Sequence, residues 1–182
     1  MRDQLSTGRN RLALSEIGLF ARGLAGHLLQ AREIGHAATV AAYVSIGTEP
    51  GTGWLLDGLR VAGTRVVLPV LLPDGDLDWA AYDGDGSLAP ARFGLLEPTG
   101  RRLGVDAIGT ADAVIVPALA VSSTGMRLGR GGGSYDRALG RVPIGTFTCA
   151  LLYDGETGLD VPVEPHDRPV TAAATPSGIT RF

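Results

Sequence analysis

Apolar positions along this chain change their spacing several times, and each change predicts an element. Over residues 12–32, "LALSEIGLFARGLAGHLLQAR", they recur at roughly helical intervals and predict an amphipathic helix. "ATVAAYVSI" (38–46) is a β-branched and small apolar run that reads as a buried strand. Turn residues follow in "GTEPGTG", and "WLLDGLRVAG" reads as a helix that ends at Gly63. A second strand is expected at "RVVLPVLL" (65–72), where Pro69 points to an edge strand or a kink. From Pro73 to Arg102 the chain is rich in Asp, Gly and Pro, with one short strand expected at "LDWAAY". "ADAVIVPALAV" (111–121) is its most apolar strand and runs directly into a glycine-rich segment. A short helix near 134–141, a strand at "TFTCALLY" and a last one near "VTAAAT" complete the pattern. Strands alternating with helices predict a single α/β domain over residues 1–182, three-layered α/β/α, around a mostly parallel, Rossmann-like sheet.

Composition narrows the function classes. A hydrophobic share of 45% with 19% charged residues describes a globular chain. The net charge of −3 argues against a nucleic-acid partner. No stretch stays apolar for the roughly 18 residues a membrane span needs, and the N-terminus lacks a signal-peptide layout, so a cytoplasmic protein without a membrane partner is expected. Cys149 is the single cysteine, which removes a disulfide framework and CxxC zinc sites; its apolar neighbours predict a core residue. All 16 basic residues are arginine. A chain without lysine cannot carry a Walker A loop or form a lysine Schiff base.

The segment with most chemistry is "RLGRGGGSYDR", residues 127–137. It follows a buried strand and precedes a helix, the place where open α/β sheets bind ligands. It matches neither the dinucleotide fingerprint nor a P-loop. Arg127 and Arg130 with the glycine backbone would make a phosphate cradle, because guanidinium binds phosphate bidentately. Asp136 could hold Mg²⁺ while phosphates complete the metal's shell. Equally open from the residues alone is a permissive loop with solvated arginines, in which Ser134 or Asp136 caps a helix.

"VIVPALAVSSTGMRLGRGGGSYDRAL" resembles the signature of the 5-formyltetrahydrofolate cyclo-ligase family, a strand ending in proline followed by G-x-RLG-x-G-x-G-x-YDR. Gly125, Arg127, Leu128, Gly129, Gly131, Gly133, Tyr135, Asp136 and Arg137 meet it. "YVSIGTEPGT" is similar to the family's strand and loop in which a serine, here Ser45, precedes a glutamate, here Glu49. "FGLLEP" (93–98) and "VPVEPHDRPVTAAATPSGI" resemble two further family stretches in the same order.

The resemblance implies an enzyme that takes ATP, Mg²⁺ and 5-formyltetrahydrofolate. ATP would phosphorylate the formyl oxygen, N10 would attack the activated carbon, and phosphate would leave as 5,10-methenyltetrahydrofolate forms. It implies ATP contacts from Arg2, Arg127, Gly129, Gly131, Gly132, Gly133 and Asp136, and Mg²⁺ held by Asp136 and Asp167. Val44, Glu49, Phe93, Arg130 and Ser134 would border the folate, with Glu49 accepting hydrogen bonds from pterin N–H groups. Arg127, Arg130 and Tyr135 are the catalytic candidates, with packing under the loop the competing role for Tyr135. A monomer is expected.

Three departures accompany the match. Gly132 stands where many members carry lysine, and Ser134 where many carry tyrosine. The family's K-x-x-x-R opening fits Arg2 only if its lysine falls upstream of Met1, which reads as a late start; a chain truly beginning there would bind ATP more weakly. A non-catalytic folate or nucleotide binder on the same fold is therefore the second expectation, and an unrelated phosphate-binding module the third.

Overall fold

The computed structural model describes residues 1–182. In chain order its elements are α1 (Arg2–Arg9), α2 (Leu14–Gln30), α3 (Arg32–Gly35), β1 (Thr39–Ala41), α4 (Gly53–Val61), β2 (Arg65–Leu71) and β3 (Leu77–Ala81). Then come β4 (Leu88–Pro90), β5 (Leu96–Pro98), a 3₁₀ stretch at Val105–Thr110, β6 (Ala113–Pro117), β7 (Ala120–Val121) and β8 (Arg127–Leu128). The chain ends with α5 (Ser134–Leu139), β9 (Phe147–Leu151), β10 (Ala172–Thr175) and β11 (Gly178–Arg181).

Seven strands form one sheet in the order β11-β10-β9-β6-β1-β2-β3. The pairs β1–β2, β1–β6, β6–β9 and β9–β10 are parallel, and the antiparallel strands β3 and β11 close the two edges. The central strands read as unbroken apolar runs because both faces are covered. In β6, Ala113 and Ile115 face the layer built by α2, α3 and α4, while Val114 and Val116 face the opposite layer. The first layer is the heavier, with Leu24, Leu28, Leu55 and Leu59 all buried in it. The second is thin: α5 and the 3₁₀ stretch contribute Ala138, Leu139 and Ile108. Cys149 lies in the first layer as expected, and burial pushes its thiol up to about 12.

Several expectations change in detail. The run 111–121 is broken after Pro117, where the chain leaves the sheet and forms the β7–β8 ribbon. Pro69 does not sit on an edge strand. The Val66–Tyr82 and Leu72–Asp76 backbone bonds show that even-numbered residues of β2 pair with β3. The imide nitrogen of Pro69 therefore faces the β1 side, beyond the last β1 partner at Ala41↔Val67, where no ladder bond is lost. Two residues further on, the Leu71 N–H faces the same gap and donates to Glu97 Oε1 at 2.9 Å. No single helix is long and apolar enough to cross a membrane.

The turn before β8 is pinned to the start of β10. Gly125 has φ +83°, and its carbonyl accepts the Val170 N–H at 2.8 Å. A Cβ there would run into the Val170 carbonyl oxygen. Gly125→Ala is expected to cost about 2–4 kcal/mol, read as a lower urea midpoint with an unchanged slope.

Candidate functional site

Among the five parallel strands the order reverses between β1 and β6. Chain leaving β1 therefore runs one way and chain leaving β6 the other, and a crevice opens beyond their carboxyl ends. A cavity of about 240 Å³ lies there. The stretch after β1 contributes Tyr43, Val44, Ile46 and Glu49, and the end of β6 with the stretch after it contributes Pro117, Ala118 and Leu119. Arg127, Gly129 to Asp136, the β5 region with Leu95, Leu96 and Glu97, and Pro69, Leu71 and Leu77 from β2 and β3 complete the wall. The expected residues Val44, Glu49, Arg127, Gly129, Arg130, Gly131, Gly132, Gly133, Ser134, Tyr135 and Asp136 thus meet in one place.

Arg127 is only 8% exposed. Its Nη2 donates to Asp136 Oδ1 at 2.6 Å and its Nη1 to the Pro117 carbonyl at 3.1 Å, while Nε has no partner. The guanidinium also lies 5.8 Å from the centre of the Tyr135 ring. Gly129 is glycine for a steric reason, since a Cβ would come within 2.7 Å of Arg127 Nη1. Gly131 and Gly133 have φ of +96° and +69°, and Gly133 turns the chain into α5. At Gly132 a side chain would meet nothing closer than Ser134 Oγ at 3.8 Å, so no packing demands the glycine.

Glu49 is carried on a loop whose neck is tied by reciprocal bonds. Ser45 N–H donates to Thr52 Oγ1 at 2.9 Å, and Thr52 N–H donates to Ser45 Oγ at 3.0 Å. Ser45 therefore closes the loop that presents the glutamate. Glu49 Oε2 accepts the Ile46 N–H at 2.9 Å, and Oε1 lies 3.1 Å from Arg130 Nη2. The two partners differ in exposure, with the Glu49 side chain at 9% and that of Arg130 at 61%. Burial, then the Glu49 charge, pushes the Tyr135 phenol well above its ordinary range, with Arg127 opposing. Tyr135 is thus a neutral proton donor at neutral pH, and it packs against the thin layer. Tyr43 is raised by the same two causes, burial first, and its hydroxyl has no partner.

Three expected residues lie outside this lining. Arg2 sits over the glycine loop, its Nε donating to the Gly129 carbonyl at 3.0 Å. Phe93 is 75% exposed, adopts φ +60° and stacks with Arg92. Asp167 accepts the Glu164 N–H at 2.7 Å and lies 3.8 Å from His166 Nε2. No group of three or more His, Cys, Asp or Glu side chains is placed to hold a metal. Asp136 keeps Oδ2 free of protein donors on the cavity wall, which suits a metal carried mainly by phosphates and water. Glu97 is a cavity residue that sequence reasoning left unassigned; the "EP" of "FGLLEP" was its signal.

A family model described as the 5-formyltetrahydrofolate cyclo-ligase family matches residues 1–176. The 5-formyltetrahydrofolate cyclo-ligase of Mycolicibacterium smegmatis is 45% identical over 143 residues, 76% of this chain and 73% of that protein. The enzyme of the same name from Escherichia coli K12 is 36% identical over 146 residues, 79% of this chain and 80% of its own. Among solved structures, the Aquifex aeolicus 5,10-methenyltetrahydrofolate synthetase superposes with a TM-score of 0.83 at 24% identity, covering 99% of this chain and 90% of that one. That likeness speaks for the fold, and the sequence matches carry the family: the chain belongs to the 5-formyltetrahydrofolate cyclo-ligase family.

Proposed function

We propose that the protein converts 5-formyltetrahydrofolate to 5,10-methenyltetrahydrofolate, with ATP phosphorylating the formyl oxygen and ADP and phosphate released. The observation that carries this reading is the cavity at the strand-order reversal. It sets a buried acceptor, Glu49, opposite an arginine- and glycine-lined loop within one crevice. A pterin edge presents neighbouring N–H donors, and Glu49 is the buried carboxylate aimed at such donors. A nucleotide triphosphate presents charge, and Arg2, Arg127 and Arg130 surround the loop that would receive it.

The chemical task is to turn an amide-like formyl oxygen into a leaving group. Phosphoryl transfer spreads negative charge over equatorial oxygens, so the protein contributes positioning and charge stabilisation. Asp136 Oδ2 remains free of protein donors for this after the two side chains have fixed each other. Mg²⁺ bound with the nucleotide would neutralise phosphate charge, and Asp136 is the side chain we assign to it. Asp167 would join the metal through Oδ1, its Oδ2 being held by the Glu164 amide. Tyr135, held neutral, would donate a hydrogen bond rather than abstract a proton. Arg130 pairs with Glu49, so a pterin that takes up the Glu49 carboxylate would release it toward the phosphates. Partners are small molecules on this reading, and the protein would work as a cytoplasmic monomer.

The direct test mixes protein, Mg-ATP and 5-formyltetrahydrofolate and follows methenyl absorbance in the near ultraviolet. The expected result is an ATP-dependent rise that Asp136→Asn and Arg127→Ala each reduce by about 100-fold or more. Folate binding without any ATP-dependent turnover would leave only the non-catalytic binder.

Glu49→Gln is expected to raise KM for 5-formyltetrahydrofolate about 10- to 100-fold, as loss of charged hydrogen bonds predicts, and to leave KM for ATP nearly unchanged. Arg130→Ala should change thermal stability little, because its ion pair with Glu49 is exposed on the arginine side, while lowering kcat. An equal rise in both KM values for Glu49→Gln would remove Glu49 from the pterin end.

A further inference from the structure

Arg9, Glu156 and Tyr153 form a polar cluster outside the cavity described above, and the reaction makes no direct use of it. Arg9 is 3% and Glu156 7% exposed. The guanidinium is bidentate on the carboxylate, Nε to Oε1 at 2.8 Å and Nη2 to Oε2 at 2.7 Å. Nη2 also donates to the Ala118 carbonyl at 2.7 Å. Glu156 Oε2 accepts the Tyr153 N–H at 2.8 Å, and the Arg9 guanidinium lies 5.4 Å from the centre of the Tyr153 ring. The Tyr153 hydroxyl donates to the Thr48 carbonyl at 3.2 Å.

Each arm of the cluster ends next to a different part of the site. Arg9 is the last residue of α1, the helix whose Arg2 reaches Gly129 at its other end. Thr48 directly precedes Glu49. Ala118 directly follows Pro117, the carbonyl that holds Arg127. α1 contributes little apolar burial of its own, and Arg9 is its one buried residue. A buried charge that loses its partner is strongly destabilising, so the pair holds α1 in one place.

We infer that Arg9, Glu156 and Tyr153 are positioning residues that hold the Arg2 helix and the Glu49 loop in fixed relation, aligning the two ends of the cavity. The ligand part of this inference rests on the proposed function; the mechanical part does not. Through Arg9 and Glu156 the cluster governs both ends, and through the Tyr153 hydroxyl it governs the Glu49 loop alone.

The test compares Glu156→Gln, Tyr153→Phe and a control, Leu59→Ala, which loses packing on α4 in a hydrophobic core that includes none of the three residues. Amide hydrogen exchange and steady-state kinetics are measured on each. Glu156→Gln is expected to speed exchange in both α1 and residues 46–51 and to raise KM for both substrates about 5- to 20-fold. Tyr153→Phe, a mild change that keeps the fold, should speed exchange only in residues 46–51. It should raise KM for the folate about 3- to 10-fold, with KM for ATP within about twofold of wild type. Leu59→Ala should lower the unfolding midpoint without moving either KM. Glu156→Gln that behaves like Leu59→Ala, or Tyr153→Phe that leaves 46–51 unchanged, overturns the inference even in an active enzyme. The expected exchange pattern in the variants, with a wild-type protein that lacks cyclo-ligase activity, supports the cluster and removes the proposed function instead.

Discussion

A buried guanidinium sets the terms for the whole site. Arg127 must be neutralised and hydrogen-bonded once its chain leaves β8 underneath the glycine loop, because an unpaired charge there would be costly. Asp136 supplies the carboxylate and so fixes the first turn of α5. Pro117 supplies a carbonyl and so ties the loop to the end of β6. Gly129 gives up its Cβ to make room. Motif residues that look like separate contacts to a ligand are therefore first contacts to one another.

That arrangement works only where the sheet puts it. β1 and β6 lie side by side, and their following chain segments diverge, so the crevice exists before any side chain is chosen. β2 adds the third wall in an indirect way. Its last odd-numbered residues have outrun β1, Pro69 needs no partner, and Leu71 takes Glu97 in place of a strand. The β4–β5 hairpin that carries Glu97 is thus docked over the cavity by a bond to the exposed side of a strand. An extended edge becomes a lining element without a further strand being added.

Much of this was legible because it is local. Strand–loop–helix order around residues 111–141, the loop acid after β1, and the glycine-rich segment all declare themselves over a few neighbouring positions. The parts that were not legible depend on partners far away in the chain. α1, "RDQLSTGR", has one apolar side chain, Leu5, so periodicity had nothing to detect; Arg9 secures it through a glutamate 147 positions later. β11 follows β10 after two residues and was hidden because "GITR" is polar on an edge strand that needs little burial. The Arg127–Asp136 bond was equally hidden, since the motif supplies both residues and does not say that they face each other. The Asp167 cap on its own turn was hidden as well, since the Glu164 amide it accepts lies in the same proline-rich loop and carries no side-chain signal.

The absence of lysine acquires a structural sense from these contacts. Arg9 serves a carboxylate and a carbonyl at once, Arg127 a carboxylate and a carbonyl, and Arg141 and Arg181 each clasp a carboxylate with two nitrogens. A planar fork meets two acceptors in fixed directions, which a point-like ammonium on a flexible stem does not. In the buried members the fork is spent on the fold, and its rigidity positions the backbone. Arg2 and Arg130, both exposed, hold one weak partner each and retain most of their donors. Around the cavity one side-chain type therefore divides by burial: Arg127 is spent on fixing the loop, while Arg2 and Arg130 keep most of their donors free.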